Sequence, residues 1–86
     1  MEELSKLINI GKTLEKQLNQ IGVYTEAELK EIGAEQAWLK IKKIDKSACM
    51  NRLLALEGAI MGIKKTFLPE ERKNELKEFY KRSKNF

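Results

Sequence analysis

The chain has 86 residues, with 17 Lys+Arg against 13 Asp+Glu for a formal charge of +4, one Cys, one Asp, one Pro and no His. Without His there is no imidazole base or metal ligand and no Ser–His or Cys–His nucleophile pair. A single Cys gives neither an intrachain disulfide nor a thiolate zinc site, and a single Asp leaves little for a calcium or magnesium loop. The expectation is a small, non-enzymatic binding domain that uses no cofactor and no metal.

At this length one domain over residues 1–86 is expected, folding with roughly 60–65% of the unfolded surface removed from water. An apolar fraction of 42% suffices for one core despite 35% charged residues. Val occurs once, at Val23, while Leu, Ile, Ala and Met dominate, a balance that favours helices over strands. The acidic start Met1-Glu2-Glu3-Leu4 lacks the basic-then-apolar pattern of a signal peptide. The greasiest stretch, Leu53 to Ile63, is interrupted by Glu57 and falls far short of the ~20 residues that span a bilayer. A cytoplasmic protein without membrane contact is expected.

Helical periodicity runs through the whole chain. Leu4, Leu7 and Ile8 predict a short first helix ending before Asn9-Ile10-Gly11; Leu14, Leu18 and Ile21 line one face of a second. Gly22 is placed as its C′ residue, with Val23 supplying the apolar contact beyond. Thr25-Glu26-Ala27-Glu28 has the form of a capping box opening a third helix, with Leu29 and Ile32 inward and Gly33 ending it. Ala34, Ala37, Trp38 and Ile41 share a face of the fourth, which runs into the basic stretch Lys40 to Lys46.

Asp45 or Ser47 caps the fifth helix, expected from Ala48 to about Gly62. Cys49, Leu53, Leu56, Ile60 and Ile63 form one apolar stripe and Met50, Leu54 and Met61 another, the mark of a central helix. Cys49 reads as a packing thiol. Ala55, Gly58, Ala59 and Gly62 open room for another helix backbone, and Glu57 among them needs a partner. Pro69-Glu70-Glu71 opens a terminal helix over 69–84 whose thin apolar face is Leu76, Phe79 and Tyr80. Five or six short helices in one all-α bundle follow, with the terminal helix as the element for mobility or a partner.

The most informative local pattern is Leu7-Ile8-Asn9-Ile10-Gly11-Lys12-Thr13-Leu14, which has the form of a helix-hairpin-helix element. Such a turn offers the unpaired N–H groups of a helix N-terminus to an anion, and the helix dipole favours the same charge. Asn9, Ile10, Gly11, Lys12, Thr13 and Lys16 are therefore the candidate contacts to a DNA phosphate. The same turn also serves as a plain structural connection between antiparallel helices. Charge points elsewhere. Residues 1–39 carry a net −3, residues 40–63 a net +3 and residues 64–86 a net +4. Lys40, Lys42, Lys43 and Lys46 are accordingly an alternative basic surface for an acidic partner, as are Lys64 and Lys65, or Lys77, Lys81, Arg82 and Lys84. Trp38 reads as core.

The blocks from Leu7 to Gly22, Thr25 to Ala34, Leu53 to Ala59 and Leu68 through Leu76, Phe79 and Tyr80 together resemble the C-terminal domain of the TfoX/Sxy family, over roughly residues 4–80. The resemblance implies an all-helical, helix-hairpin-helix-like fold and kinship with bacterial regulators of natural competence. Full-length members carry an N-terminal α/β domain for which this length leaves no room, so a stand-alone C-terminal domain is expected. Two functions follow as expectations. One is weak, sequence-independent DNA binding through the hairpin. The other is a protein-interaction or homo-oligomerisation module in a regulatory assembly, using the Leu76, Phe79 and Tyr80 face.

Overall fold

Five α-helices and two single 3-10 turns account for the chain in a computed structural model that describes residues 4–83. The helices are α1 (Lys12–Gln20), α2 (Glu26–Ile32), α3 (Ala34–Ile44), α4 (Met50–Met61) and α5 (Glu70–Ser83), and the 3-10 turns are Leu4–Lys6 and Lys65–Phe67. No strand occurs among the described residues. The expected all-α fold is what the chain adopts. Residues 1–3 and the Lys84 end of the predicted terminal helix lie outside the described range.

The helix ends follow local chemistry. Past α1, the Val23 N–H donates to the Leu18 carbonyl at 2.8 Å and the Gly22 N–H to Asn19 at 3.1 Å. Gly22 takes φ +92°, which a residue with a Cβ rarely adopts. Thr25 opens α2 with a full capping box: its Oγ1 accepts from the Glu28 N–H at 3.1 Å and Glu28 Oε1 accepts from the Thr25 N–H at 3.0 Å. Gly33 at φ +83° then turns the chain directly into α3.

Trp38 fixes the centre. It is fully buried, with Phe79 edge-on at 6.1 Å and Tyr80 tilted at 5.5 Å between ring centroids. Its Nε1–H donates to the Cys49 carbonyl at 3.1 Å, so the indole's polar atom is satisfied inside the core. Leu18, Leu29, Ile41, Leu53, Leu56 and Leu76 complete the interior, each contributing about 1.5–3 kcal/mol of transfer free energy. The central helix is α4, which packs against α2, α3, α5 and the second 3-10 turn.

Several expectations change. The first predicted helix is a three-residue 3-10 turn, because a segment this short cannot offset the nucleation penalty of an α-helix. The N-cap of α4 is Cys49, without a side-chain cap, rather than Asp45 or Ser47. Asp45 instead binds its own turn and α1: its carboxylate accepts from the Ser47 N–H at 2.9 Å, Arg52 Nη1 at 2.9 Å and Gln17 Nε2 at 2.7 Å. Cys49 is exposed, not packed in the stripe. The room made by Gly58 is filled by the Asn9 side chain and by the backbone at Ile63 and Lys65 rather than by another helix.

Glu57 is buried and finds Arg72, whose Nε and Nη2 donate to its two oxygens at 3.0 and 3.2 Å. The same guanidinium reaches Glu35 at 2.9 Å and Glu75 at 3.5 Å, tying α5 to α3 and α4. The bonds from Glu57, then those from Glu35, raise the Arg72 pKa above its ordinary value, overcoming the opposing effect of burial. A planar, bidentate fork suits this position, and a lysine would lose the second bond.

Candidate functional site

The segment between the first 3-10 turn and α1 is a turn that bonds to itself. The Leu7 N–H donates to Leu4 at 3.0 Å and the Ile10 N–H to Leu7 at 3.2 Å. Asn9 sits at φ +72° and is the one non-glycine residue with positive φ among those described. Its carboxamide clamps the segment beyond α4: Nδ2 donates to the Ile63 carbonyl at 2.9 Å, and Oδ1 accepts from the Lys65 N–H at 3.3 Å. Asn tolerates this backbone region better than most residues, and here the side chain is engaged within the fold.

This separates the six candidate phosphate contacts. Asn9 is a clamp. Ile10 is core, 4% exposed, with its N–H bonded inside the turn. Gly11, Lys12 and Thr13 are exposed at the start of α1, which has Gly11 as N-cap and no side chain capping it. Gly11 has extended backbone at φ −92°, and a Cβ there meets nothing within 4 Å. Its contribution is an open approach to the helix end. Lys16 is exposed one turn further along α1.

Folding adds neighbours that the sequence did not connect. Gly11, Lys12 and Thr13 share a shallow groove of about 330 Å³ with Cys49, Asn51 and Arg52 of α4 and with Lys65. Two helix N-termini without side-chain caps therefore open on one depression. Its lining includes Lys12, Arg52 and Lys65 and no carboxylate. Arg52 is partly neutralised by Asp45 at 2.9 Å, with its Nη1 also donating to Gln17 Oε1 at 3.3 Å. Lys12 and Lys65 are in no ion pair among the described residues. Electrostatics at the rim follow the same geometry. Bonds from the Ser47 side chain, then from Arg52, hold the Asp45 carboxyl well below the usual carboxylate range. The Arg52 backbone N–H, at the start of α4, lowers the Cys49 thiol pKa from its ordinary value against a smaller desolvation effect. Chemically the groove can offer backbone N–H groups, the Thr13 hydroxyl and two ammonium groups to an anion.

The alternative basic surface assembles elsewhere. Lys40, Lys42, Lys43 and Lys46 line a second, larger groove of about 740 Å³, together with Leu39 and Ser83. The Leu76, Phe79 and Tyr80 face turns inward: Leu76 is 0% exposed, and both rings pack on Trp38. It is used by the chain's own core. Among the described residues no group of three His, Cys, Asp or Glu side chains is placed to hold a metal, and no helix is long and apolar enough to cross a membrane.

The chain matches the model of the TfoX C-terminal domain over residues 1–80. It is 35% identical over 78 residues to Protein Sxy of Escherichia coli (strain K12), covering 91% of this chain and 37% of that protein. It thus spans little more than a third of that relative's length. Two crystal structures from Listeria monocytogenes share the fold. One, an uncharacterized protein in a triclinic form, is 48% identical with a TM-score of 0.90, covering 92% of this chain and 90% of the other. The second, a protein of unknown function in a tetragonal form, is 47% identical with a TM-score of 0.88, covering 92% and 98%.

Proposed function

The chain belongs to the TfoX C-terminal domain family, and on that premise we propose that it is a non-enzymatic, competence-type regulatory module that contacts the backbone of duplex DNA through the groove between α1 and α4. One observation carries the reading: two helix N-termini without side-chain caps open on the same carboxylate-free groove between Lys12 and Lys65. A phosphate oxygen seated there accepts from the N–H groups at the start of α1, and Lys12 and Lys65 neutralise its charge from either side. Thr13 and Asn51 add neutral hydrogen bonds. These groups touch phosphates rather than base edges, so the binding is independent of sequence. The small number of cations makes it weak, with a correspondingly shallow salt dependence.

Fluorescence anisotropy with a labelled duplex, at roughly 50 and 200 mM salt, tests the proposal. Wild-type protein binds at the lower salt and weakens at the higher. Lys12→Glu and Lys65→Glu each lower affinity, and their charge-preserving counterparts, Lys12→Arg and Lys65→Arg, retain it. Absence of binding at low salt, or binding indifferent to both glutamate substitutions, overturns the reading.

A further inference from the structure

The second groove lies where α3 and α5 end together. The contacts Glu35–Arg72, Trp38–Phe79 and Lys42–Tyr80 advance along both helices in the same chain direction, so the two run parallel. Both last turns are basic, with Lys42 and Lys43 on α3 and Lys81 and Arg82 on α5. Cations in a last turn suit the negative end of a helix dipole, and that accounts for some of this charge. It does not account for the concentration. Lys40, Lys42, Lys43 and Lys46 line one depression with no carboxylate in its lining, and none of the four is in an ion pair among the described residues. The Lys42 ammonium is fixed above the Trp38 ring at 5.0 Å and the Tyr80 ring at 5.9 Å. Leu39, half-buried, adds apolar surface between the amino groups, and Ile44 stands 52% exposed on the same helix.

We propose that this groove is the docking site for an acidic, amphipathic peptide segment of a partner protein, with carboxylates on Lys40, Lys43 and Lys46 and an apolar side chain on Leu39. Charge complementarity requires a polyanion, and the remaining features choose between the two common kinds. A duplex presents rigid phosphates on a convex surface and has nothing to seat on Leu39. A single strand needs exposed rings or guanidinium planes for its bases. Here Trp38 is fully buried, Lys42 lies over Tyr80, and no Arg lines the groove. A peptide with Leu at helical spacing among Asp and Glu satisfies both the rim and the apolar surface, as helices do in apolar grooves with charged edges. The proposal stands apart from the DNA reading, which uses other residues on α1, α4 and the second 3-10 turn.

The test is an amide chemical-shift titration and an anisotropy titration with a short synthetic Asp/Glu peptide carrying Leu at helical spacing. A control peptide has every Leu replaced by Ser. The expected result is that shifts concentrate on residues 39–46 and 83. Affinity falls roughly tenfold or more in Lys40→Glu/Lys43→Glu and several-fold for the Ser control. Lys12→Glu/Lys65→Glu leaves peptide binding unchanged. Lys40 and Lys43 are both exposed, and Leu39→Gln gives a second variant with the charge intact. Absence of peptide binding, shifts confined to residues 11–13 and 49–52, or equal affinity for the Ser control overturns the proposal. So does a duplex that displaces the peptide while shifting residues 39–46, since that makes nucleic acid the occupant.

Discussion

Gly58→Ala is the substitution on which local and tertiary effects disagree in sign. In a helix interior with free space, replacing Gly by Ala adds about 0.8–1.0 kcal/mol of stability. Gly58 lies inside α4 and is buried. A Cβ built there falls 2.8 Å from the Ile63 carbonyl oxygen and 3.2 Å from the Lys65 nitrogen, and also meets Asn9 Nδ2. The backbone atoms cannot rotate away, so the segment at 63–65 must shift. Overpacking of this kind costs about 1–3 kcal/mol. The shift also strains the two hydrogen bonds of the Asn9 clamp, each worth about 0.5–1.5 kcal/mol. Set against the helix-propensity gain, the expected net loss is about 2 kcal/mol, or a fall in Tm of roughly 10 °C for a domain of this size. Urea unfolding followed by far-ultraviolet circular dichroism measures it. Gly11→Ala is the control, because its Cβ meets nothing within 4 Å, and a change under about 0.5 kcal/mol is expected. Asn9→Ala removes one of the clashing groups, so the Asn9→Ala/Gly58→Ala double variant loses less than the two single losses combined. A Gly58→Ala protein as stable as the wild type, or more so, refutes this account of why Gly stands there.

Three further outcomes are expected. Arg72→Met leaves the Glu57 carboxylate, whose side chain is 12% exposed, without its bidentate partner and destabilises the fold by about 2–4 kcal/mol in urea unfolding. Recovery of part of that loss by adding Glu57→Gln separates the unpaired charge from lost packing, and a loss below about 0.5 kcal/mol contradicts the tie. The folded Asp45 carboxyl has a pKa below its ordinary 3.8, so its stabilisation is full above that value and is lost as pH falls beneath it. Asp45→Asn accordingly flattens the acid limb of the stability profile below pH 3.8, and an unchanged limb counts against the cluster with Ser47 and Arg52. The exposed Cys49 thiol reacts with a disulfide reagent with a pH inflection below its ordinary 9.0, whereas an inflection at or above it contradicts the influence of the α4 N-terminus.

What the sequence disclosed was set by the range of the interaction. The Gly22 and Val23 stop, the Thr25–Glu28 capping box, the Gly33 break and the Ala34, Ala37, Trp38, Ile41 face each depend on residues within a few positions of one another. Such features are visible in spacing alone. The start of α4 departs from its local cap signal, because Asp45 has competing partners in Gln17 and Arg52 that only the fold supplies. Asn9 was legible as a turn residue but not as a clamp, since its partners are Ile63 and Lys65. Likewise Glu57 announced the need for a partner without identifying Arg72. Of the candidate site, Gly11, Lys12 and Thr13 were named from the hairpin pattern, while Lys65, Asn51 and Arg52 join them only in three dimensions. The four lysines of the second groove group by composition, whereas the half-buried Leu39 surface between them emerges only in the fold.

The Asn9 clamp also sets an order of assembly. Its two bonds join residues 54 and 56 positions apart, and contacts of such separation form only after a long stretch of chain has been brought together. On a ribosome, α1 can coil early, but Lys65 reaches the rim of the α1–α4 groove only after α4 has emerged and docked. The groove is therefore a product of the finished fold: a nascent or proteolytically shortened chain that stops before α4 presents a lone helix end to an anion, and one that stops before Lys65 lacks the second ammonium group.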